Sequence, residues 1–380
     1  MFRVKLSIYF KIKNRLHNDE TNSMTEHHKI IIIGAGLSGL YTAWRLQKTH
    51  SDVLILEARA RVGGRILSLQ HNNSQFDMGP AWVWPQLQPR LQRLVQKLNL
   101  KLFKQFTSGD MLYEKSLAET ERFSGQSSHS EFYRIEGGSQ SIIDALQTQL
   151  SASHIHLNTI VTSIDESQLC VQTLRDGKSF EYSADKIILA LPPRLFVQNI
   201  KFMPEFSDDV IVAFNNVATW MSSHSKIVFI YDKPFWREKK LSGEVFSHCG
   251  PLSEIYDGSP ADENFYALTS FVGVAAQQRK QIKTQQLLNV GMAQLQRLFG
   301  DESKNVKEVK IQDWAGEEFT TAKLDLTSPM QHPQYAENMP RGFWNGRLIL
   351  AGTEVAREHG GYLEGALESA DEAIMLCDKH

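Results

Sequence analysis

At 380 residues, 42% of them hydrophobic, the chain is long enough to bury a large core and predicts two domains. Its formal net charge of −2 provides no general attraction to nucleic acid or to a membrane surface, so we expect neither as a partner. The three cysteines, Cys170, Cys249 and Cys377, lack metal-ligand spacing, which predicts free thiols in a reducing compartment and no metal site.

Within the first 23 residues, the stretch from Phe2 to Lys13 alternates apolar with mostly basic or polar side chains, which is the period of a β-strand. This pattern suits a surface-binding arm or edge strand, or an extension outside the fold with Met24 as the true start. We expect the extension, because the strand that follows needs nothing before it. The longest uncharged run, Ile30 to Trp44, is too short to span a membrane, so we expect a cytoplasmic protein.

A buried parallel strand and a glycine-rich turn come next. Four isoleucines end at Gly34, and Gly36 and Gly39 complete the spacing G-x-G-x-x-G before a helix that runs to about Lys48. Gly34 allows the sharp turn, Gly36 lets the backbone approach a pyrophosphate, and Gly39 lets helix and strand pack closely. The phosphates would lie at the positive N-terminal end of this helix.

A second strand, Val53 to Leu56, ends in Glu57, at the spacing where a carboxylate meets a ribose diol. An acid at this position would repel a 2′-phosphate and argues against NADP. The alternative, a glycine turn that serves packing alone, explains neither the second strand nor the acid. We therefore predict dinucleotide binding.

Two adjacent glycines and an arginine, Gly63, Gly64 and Arg65, follow shortly after this acid. They indicate backbone held close to a ligand with a cation nearby.

The stretches Gly34–Leu40 and Leu56–Arg65 resemble the flavin-containing amine oxidase family, which includes monoamine, polyamine and L-amino-acid oxidases. The resemblance resumes at Arg347–Glu354 and Gly360–Ala366, and it spans about residues 29–375. It implies an α/β fold with a Rossmann-like FAD-binding domain interleaved with an α+β substrate-binding domain. The expected parts are an extension at 1–28, an FAD-binding domain at 29–79, 134–200 and 339–380, and a substrate domain at 80–133 and 201–338.

Lys226 is the residue we expect to serve the chemistry. It stands on a strand that is apolar on both faces, Ser225 to Tyr231, so it is either buried or a strand-end lysine that reaches solvent. Burial would lower its pKa, as suits a base or a group that positions water. The spacing from Lys226 to Pro234-Phe-Trp resembles that of the family lysine that holds a water against flavin N5.

The C-terminal block predicts a strand that ends at Gly352 and a helix that starts near Tyr362. The N-terminus of this helix can stabilise negative charge on a reduced flavin. The resemblance implies that Glu354 contacts the ribityl chain and that the Leu363 amide reaches a flavin carbonyl. It also places Tyr362 over the substrate amine, although Tyr362 could be plain packing.

The resemblance also implies that the backbone of Val161 lies near the adenine and that Trp314 borders the flavin ring. Where some relatives attach flavin through a cysteine this chain has Lys323, so we expect non-covalent FAD; Leu324 replaces the aromatic residue that often follows. The residues assigned to the cofactor are Gly34, Gly36, Leu37, Ser38, Gly39, Glu57, Ala58, Arg59, Gly63, Gly64, Arg65, Gly79, Pro80, Ala81, Trp82, Val161, Trp314, Gly352, Thr353, Glu354, Gly361, Tyr362, Leu363 and Ala366. Those assigned to catalysis are Lys226 and Tyr362.

We therefore expect an amine oxidase that moves a hydride to flavin N5 and uses O2 as electron acceptor, in an oligomeric state that the sequence leaves open. In amino-acid oxidases of the family, an arginine that binds the substrate carboxylate commonly follows the Gly-Pro pair, whereas here Gly79-Pro80-Ala81 leads to Trp82. Tryptophan cannot form that bidentate pair, which favours amines without an α-carboxylate unless Arg90 substitutes. The alternatives are an L-amino-acid oxidase, a flavin dehydrogenase or desaturase that acts on a carbon–carbon bond, and a flavin-binding protein without activity.

Overall fold

A computed structural model describes residues 25–124, 132–327, 331–335 and 339–379. The alternating N-terminal segment, residues 1–23, therefore lies outside the described residues. The strands are β1 Glu26–Ile33, β2 Val53–Leu56, β3 Ser68–His71, β4 Ser74–Asp77, β5 Leu102–Lys104, β6 Asp110–Ser116, β7 Glu119–Phe123, β8 Tyr133–Ile135, β9 Ile155–His156, β10 Thr159–Asp165, β11 Cys170–Arg175, β12 Lys178–Leu189, β13 Lys201–Met203, β14 Ser225–Tyr231, β15 Leu241–Ser247, β16 Leu252–Asp257, β17 Tyr266–Val272, β18 Glu308–Asp313, β19 Gly342–Phe343 and β20 Leu348–Leu350. The α-helices are α1 Leu37–Leu46, α2 Pro89–Lys97, α3 Gln140–Thr148, α4 Pro193–Asn199, α5 Asp208–Asn215, α6 Phe235–Glu238, α7 Ala276–Arg279, α8 Thr284–Phe299 and α9 Leu363–Asp378.

The first sheet has a parallel core in the order β20-β12-β1-β2-β9. The isoleucine run of β1 is buried because both faces of the strand are covered: Ile30 and Ile32 pack in the cluster that includes α1 and α9, and Ile31 and Ile33 pack in the opposite one. The carboxyl ends of β1, β2, β12 and β20 meet at one edge, so their following residues, Gly34, Glu57, Ala190 and Gly352 among them, converge there.

An extension in the order β11-β10-β13 continues this sheet from the first half of β12. β11 is antiparallel to both β12 and β10, whereas β13 is parallel to β10. A hairpin turn at Asp176 and Gly177 joins β11 to β12, and both residues have positive φ, 50° and 75°. Two strand pairings differ from the expected domain parts. Residues 26–28 pair with β12 and so belong to β1 rather than to an extension, and β13, at 201–203, pairs with β10 in the first sheet.

The second sheet is mostly antiparallel, in the order β18-β14-β17-β16-β15-β6-β7. Ile227, Phe229 and Tyr231 of β14 pack on one face in the cluster that contains α8. On the other face Val228 and Ile230 pack against Phe76 and Met78. This second face is turned towards the segment that follows β4, which is how β14 reaches the first domain.

The two ends of the described chain pack together on the first sheet. Ser38 Oγ of α1 donates to the carbonyl oxygen of Ala351, and Tyr41 Oη donates to Asp371 of α9 at 3.0 Å. Among the residues that the structure describes, no helix has both the length and the apolar composition needed to cross a bilayer.

Candidate functional site

A cavity of about 1280 Å³ opens where the carboxyl ends of the parallel strands face the second sheet. Every residue assigned from the sequence to the cofactor or to catalysis lines this cavity, except Gly39. Positions as distant as Gly34, Lys226 and Gly352 therefore share one space.

Gly39 lies behind the cavity and performs the packing role predicted for it. A Cβ atom at this position would lie 2.0 Å from the carbonyl oxygen of Gly34, so the helix could not pack this close to the strand with any other residue. Gly36 is the opposite case, because a Cβ atom there would meet no atom within 4 Å. No side chain caps the N-terminus of α1, whose N-cap is Gly36. The first amides of the helix thus face an open cradle of the kind that binds phosphate.

Glu57, 4% exposed, is held by two backbone amides at the end of β2. Its Oε2 accepts from the Ala35 N–H at 2.8 Å, and its Oε1 accepts from the Arg59 N–H at 2.9 Å. The Arg59 side chain donates to Thr320 Oγ1 at 2.6 Å, whereas its Nε is buried without a hydrogen-bond partner among the described residues. This part of the cavity presents a fixed carboxylate and an unused donor to a ligand.

Arg65 and Glu354 join the second glycine loop to the C-terminal segment. Arg65 Nη1 lies 2.6 Å from Glu354 Oε1, and Nη2 donates to Oε2 at 3.1 Å. Burial by itself would lower the pKa of Arg65, but the Glu354 carboxylate and its hydrogen bond outweigh burial and raise the pKa above its usual value. Arg65 therefore stays charged, and it lines the cavity.

Lys226 is buried, as the strand pattern predicted as one of its two alternatives, with 4% of its surface exposed. Its Nζ donates to the carbonyl oxygens of Gly79 at 2.6 Å and of Asp77 at 3.3 Å. It also lies 5.3 Å from the centroid of the Phe271 ring. Burial lowers its pKa from 10.5 to about 8; the Asp77 carboxylate opposes this shift and Arg134 adds to it.

Tyr362 precedes α9 and is 40% exposed. Its ring stacks on the ring of His332, with centroids 4.9 Å apart and planes 12° apart, and Thr353 Oγ1 donates to its carbonyl oxygen at 2.8 Å. Trp314 is buried, and its Nε1 donates to the carbonyl oxygen of Met78 at 3.0 Å. Leu324, in contrast, is 49% exposed.

Comparison with known proteins identifies the family. The model of flavin containing amine oxidoreductases matches residues 109–373, and that of NAD(P)-binding Rossmann-like domains matches residues 32–98. The chain belongs to the flavin-containing amine oxidoreductases. It is an FAD-dependent oxidoreductase that acts on amines.

Two curated relatives of this amine oxidoreductase show how far the similarity extends. The probable flavin-containing monoamine oxidase A of Dictyostelium discoideum is 23% identical over 91% of this chain and 96% of its own length. The flavin-containing amine oxidase B of Sus scrofa is 22% identical over 92% of this chain and 86% of its own.

Two solved structures have the same fold. Putrescine oxidase bound to putrescine gives a TM-score of 0.76 at 20% identity, covering 93% of this chain and 99% of that one. Cyclohexylamine oxidase from Brevibacterium oxydans IH-35A gives 0.76 at 16% identity, with the same coverage. The two-domain α/β fold predicted from the sequence is confirmed.

The residues of this amine oxidoreductase fit FAD. The cradle at Gly36, the fixed Glu57 carboxylate and the unused Nε of Arg59 match phosphates, a ribose and further acceptors on a dinucleotide. None of the three cysteines lines the cavity, so no thiol stands there to form a covalent link with the flavin.

Several cavity residues escaped the sequence analysis. They come from the second sheet, from the segment before β14 and from the segment before α2, and they are Trp84, Gln88, Trp220, Met221, His224, Ser253, Glu254 and Phe271. No motif marks them, because each is a single side chain whose position depends on strand register. Arg90, which was considered as a carboxylate clamp, is not among the lining residues: its backbone N–H and Nη1 contact Glu364, and its Nε lies 3.5 Å from Asp371.

Proposed function

We propose that this chain oxidises small amines that lack an α-carboxylate, with FAD held non-covalently and O2 as electron acceptor. One observation carries the proposal: a single cavity joins a dinucleotide cradle, at Gly36 and Glu57, to a buried lysine of lowered pKa, Lys226. A protein that only bound flavin would have no need to bury an ammonium group at the far end of the cofactor site, because burial of a charge is costly.

When bound, FAD supplies at N5 the acceptor for the hydride that leaves the carbon bearing nitrogen, and O2 removes the electrons as hydrogen peroxide. The amine becomes an imine, which water hydrolyses to a carbonyl compound and the released amine or ammonia. The chain must hold the neutral amine in place, keep bulk water away and support negative charge on the cofactor.

Lys226 is assigned to water and proton handling. An ammonium has three donors, and two are used on the carbonyl oxygens of Gly79 and Asp77, which leaves one N–H for a water or for the amine. A pKa of about 8 lets the group exchange its proton near neutral pH. The family lysine that this position resembles holds a water against flavin N5, and the buried position of Lys226 supports the same role here.

The N-terminus of α9 is assigned to charge stabilisation. Leu363 and the N-cap residue Tyr362 line the cavity, and no side chain caps this helix. The acid in its first turn, Glu364, is used elsewhere: it accepts from the backbone N–H groups of Arg90 and Leu91 at 3.0 and 2.9 Å and so caps α2. The positive end of the helix dipole is therefore available to the cofactor.

The cavity supports amines without a carboxylate. Arg90 is occupied by Glu364 and Asp371, and Arg65 by Glu354. Arg59 follows the Glu57 carboxylate in the cofactor cradle, where its unused Nε is assigned to the dinucleotide. Tyr362 and Trp82 offer aromatic surface in their place. The putrescine and cyclohexylamine for which the two solved relatives are named are amines of this kind.

The test uses the purified holoenzyme in the absence of oxygen. A panel of primary and secondary amines, L-amino acids and unsaturated hydrocarbons is added in turn, and the visible flavin bands are recorded. We expect amines without a carboxylate to bleach the bands, and readmitted O2 to restore them with one equivalent of peroxide. Bleaching by none of the nitrogen compounds would refute the proposal, and faster bleaching by L-amino acids would reassign the substrate class.

A further inference from the structure

Glu254 brings a carboxylate into the cavity from the second sheet. It belongs to β16 and lines the same cavity as Lys226 and Phe271. The acids Glu57 and Glu354 lie in the cofactor half, at the ends of parallel strands, where each is held by backbone amides or by an arginine. Glu254 stands outside this cofactor half, on a strand of the second sheet.

Strand register fixes how Glu254 lies relative to Lys226. Phe271 of β17 is the direct partner of Lys226 on one side and of Glu254 on the other. Directly paired residues of antiparallel strands project from the same face, so the three side chains form a row across the sheet. Neighbouring strands are about 4.8 Å apart, which puts the backbone positions of Lys226 and Glu254 about 10 Å from each other.

The Glu254 carboxylate accepts a hydrogen bond from a tyrosine but has no counter-ion among the residues that the structure describes. The Tyr256 hydroxyl donates to its Oε2 at 2.7 Å. Burial raises the pKa of Tyr256, and the carboxylates of Glu254 and Glu244 raise it further, so the tyrosine stays a neutral donor. Within the described ranges no lysine, arginine or histidine forms an ion pair with Glu254. The carboxylate is therefore able to accept a charged hydrogen bond from a ligand.

Aromatic surface separates the two ends of this row. The Trp82 ring lies 6.0 Å from that of Phe271 and 4.9 Å from that of Tyr256, centroid to centroid. Such a surface is suited to a methylene chain and disfavours a charge in the middle of the ligand. The row thus presents an amine-oxidising end at Lys226, an apolar middle and an anionic end at Glu254.

We propose that Glu254 binds the distal ammonium of a substrate with two amino groups, so that the preferred substrates are α,ω-diamines and longer polyamines. The two backbone positions are about 10 Å apart and both residues line the same cavity, which leaves room between them for the carbon chain of a diamine. The inference rests on the proposed function, because it concerns the substrate of that same site. Glu254 acts by recognition alone and takes no part in the transfer of electrons.

The experiment compares 1,4-diaminobutane with butylamine, which has the same carbon chain and lacks the second ammonium. For the unmodified holoenzyme we expect kcat/KM to be about 10- to 100-fold higher for the diamine, the range of one charge-assisted hydrogen bond. Glu254→Gln should remove most of this preference and change kcat/KM for butylamine less than about twofold. Glu254→Asp keeps the charge and should retain part of the preference.

Glu318→Gln is the matched control, because Glu318 also lines the cavity but stands on the loop after β18 and not on β14, β16 or β17. It should leave the preference unchanged. Bound FAD, measured from the visible spectrum, shows that each variant is folded. An unchanged diamine preference in Glu254→Gln, or an equal loss in Glu318→Gln, would overturn the proposal.

A second readout separates this inference from the proposed function. Calorimetry on dithionite-reduced holoenzyme measures binding of 1,4-diaminobutane and of butylamine without turnover. We expect Glu254→Gln to raise Kd for the diamine about tenfold or more and to leave that for butylamine unchanged. Failure of every amine to be oxidised would refute the proposed function alone, whereas equal Kd values in the variant and the unmodified enzyme would refute the role of Glu254 alone.

Discussion

Replacing Lys226 by methionine should make the protein less active and, relative to the unmodified chain, more stable below pH 8. Burial lowers the pKa of Lys226 from 10.5 to about 8. That difference corresponds to about 3 kcal/mol by which the folded state disfavours the charged form. Methionine has a similar length and no charge, so the variant avoids this cost. It loses the hydrogen bonds to Gly79 and Asp77, which offsets part of the gain.

The dependence of this difference on pH has a definite sign. Below about pH 8 Lys226 is protonated in both the folded and the unfolded state, and the full cost opposes folding. Between about 8 and 10.5 the folded state loses the proton first, so the unfolded state binds more protons and the free energy of unfolding rises with pH. The unmodified protein should therefore gain up to about 3 kcal/mol over this window relative to Lys226→Met.

Urea unfolding of the two proteins, prepared without cofactor and followed by tryptophan fluorescence from pH 7 to 10.5, measures this gain. Other lysines and tyrosines titrate equally in both proteins, so the difference between the two curves reports Lys226. A difference that stays constant across the window would refute the buried, low-pKa lysine.

In stopped-flow experiments Lys226→Met should bind FAD normally and slow flavin reduction or reoxidation about 100-fold. Unchanged rates would remove Lys226 from the mechanism.

Three further predictions concern the cofactor site and its electrostatics. Gly36→Ala should fold normally but lose FAD affinity at least tenfold, measured by spectrophotometric titration. Gly39→Ala should instead lower the unfolding free energy of the cofactor-free protein by about 2 kcal/mol or more. Equal losses of affinity and of stability in the two variants would contradict their separate roles. Glu354→Gln leaves a buried guanidinium without its anion and should cost about 3 kcal/mol in the same unfolding assay, with weaker FAD binding; a cost under about 1 kcal/mol would show that the pair is screened. Asp77→Asn removes the carboxylate that raises the pKa of Lys226, so the basic-side transition in the pH profile of flavin reduction should move to lower pH; a transition that does not move would show that Asp77 has no influence.

The cofactor half of the site was predictable because its signals are local. Strand, glycine turn, helix, strand and acid follow one another within about thirty residues, and each position has one steric or electrostatic requirement. Gly39 against Gly34 and Glu57 against the Ala35 amide are contacts between neighbouring elements of that unit. The pattern around Lys226 likewise contained the alternative of burial, since β14 is apolar on both faces.

Tertiary structure alone decided the substrate half. Whether Lys226 is buried depends on the segment after β4 that covers β14, and its partnership with Glu254 depends on the register of three strands. Arg90 looked available in the sequence, but it is held by Glu364 and Asp371 of the last helix, more than 270 residues away. Residues 26–28 and 201–203 join the first sheet because β12 and β10 extend far enough to pair with them. Short-range sterics and helix dipoles can be read from neighbouring residues, whereas pairings across sheets follow from chain crossovers that no local spacing encodes.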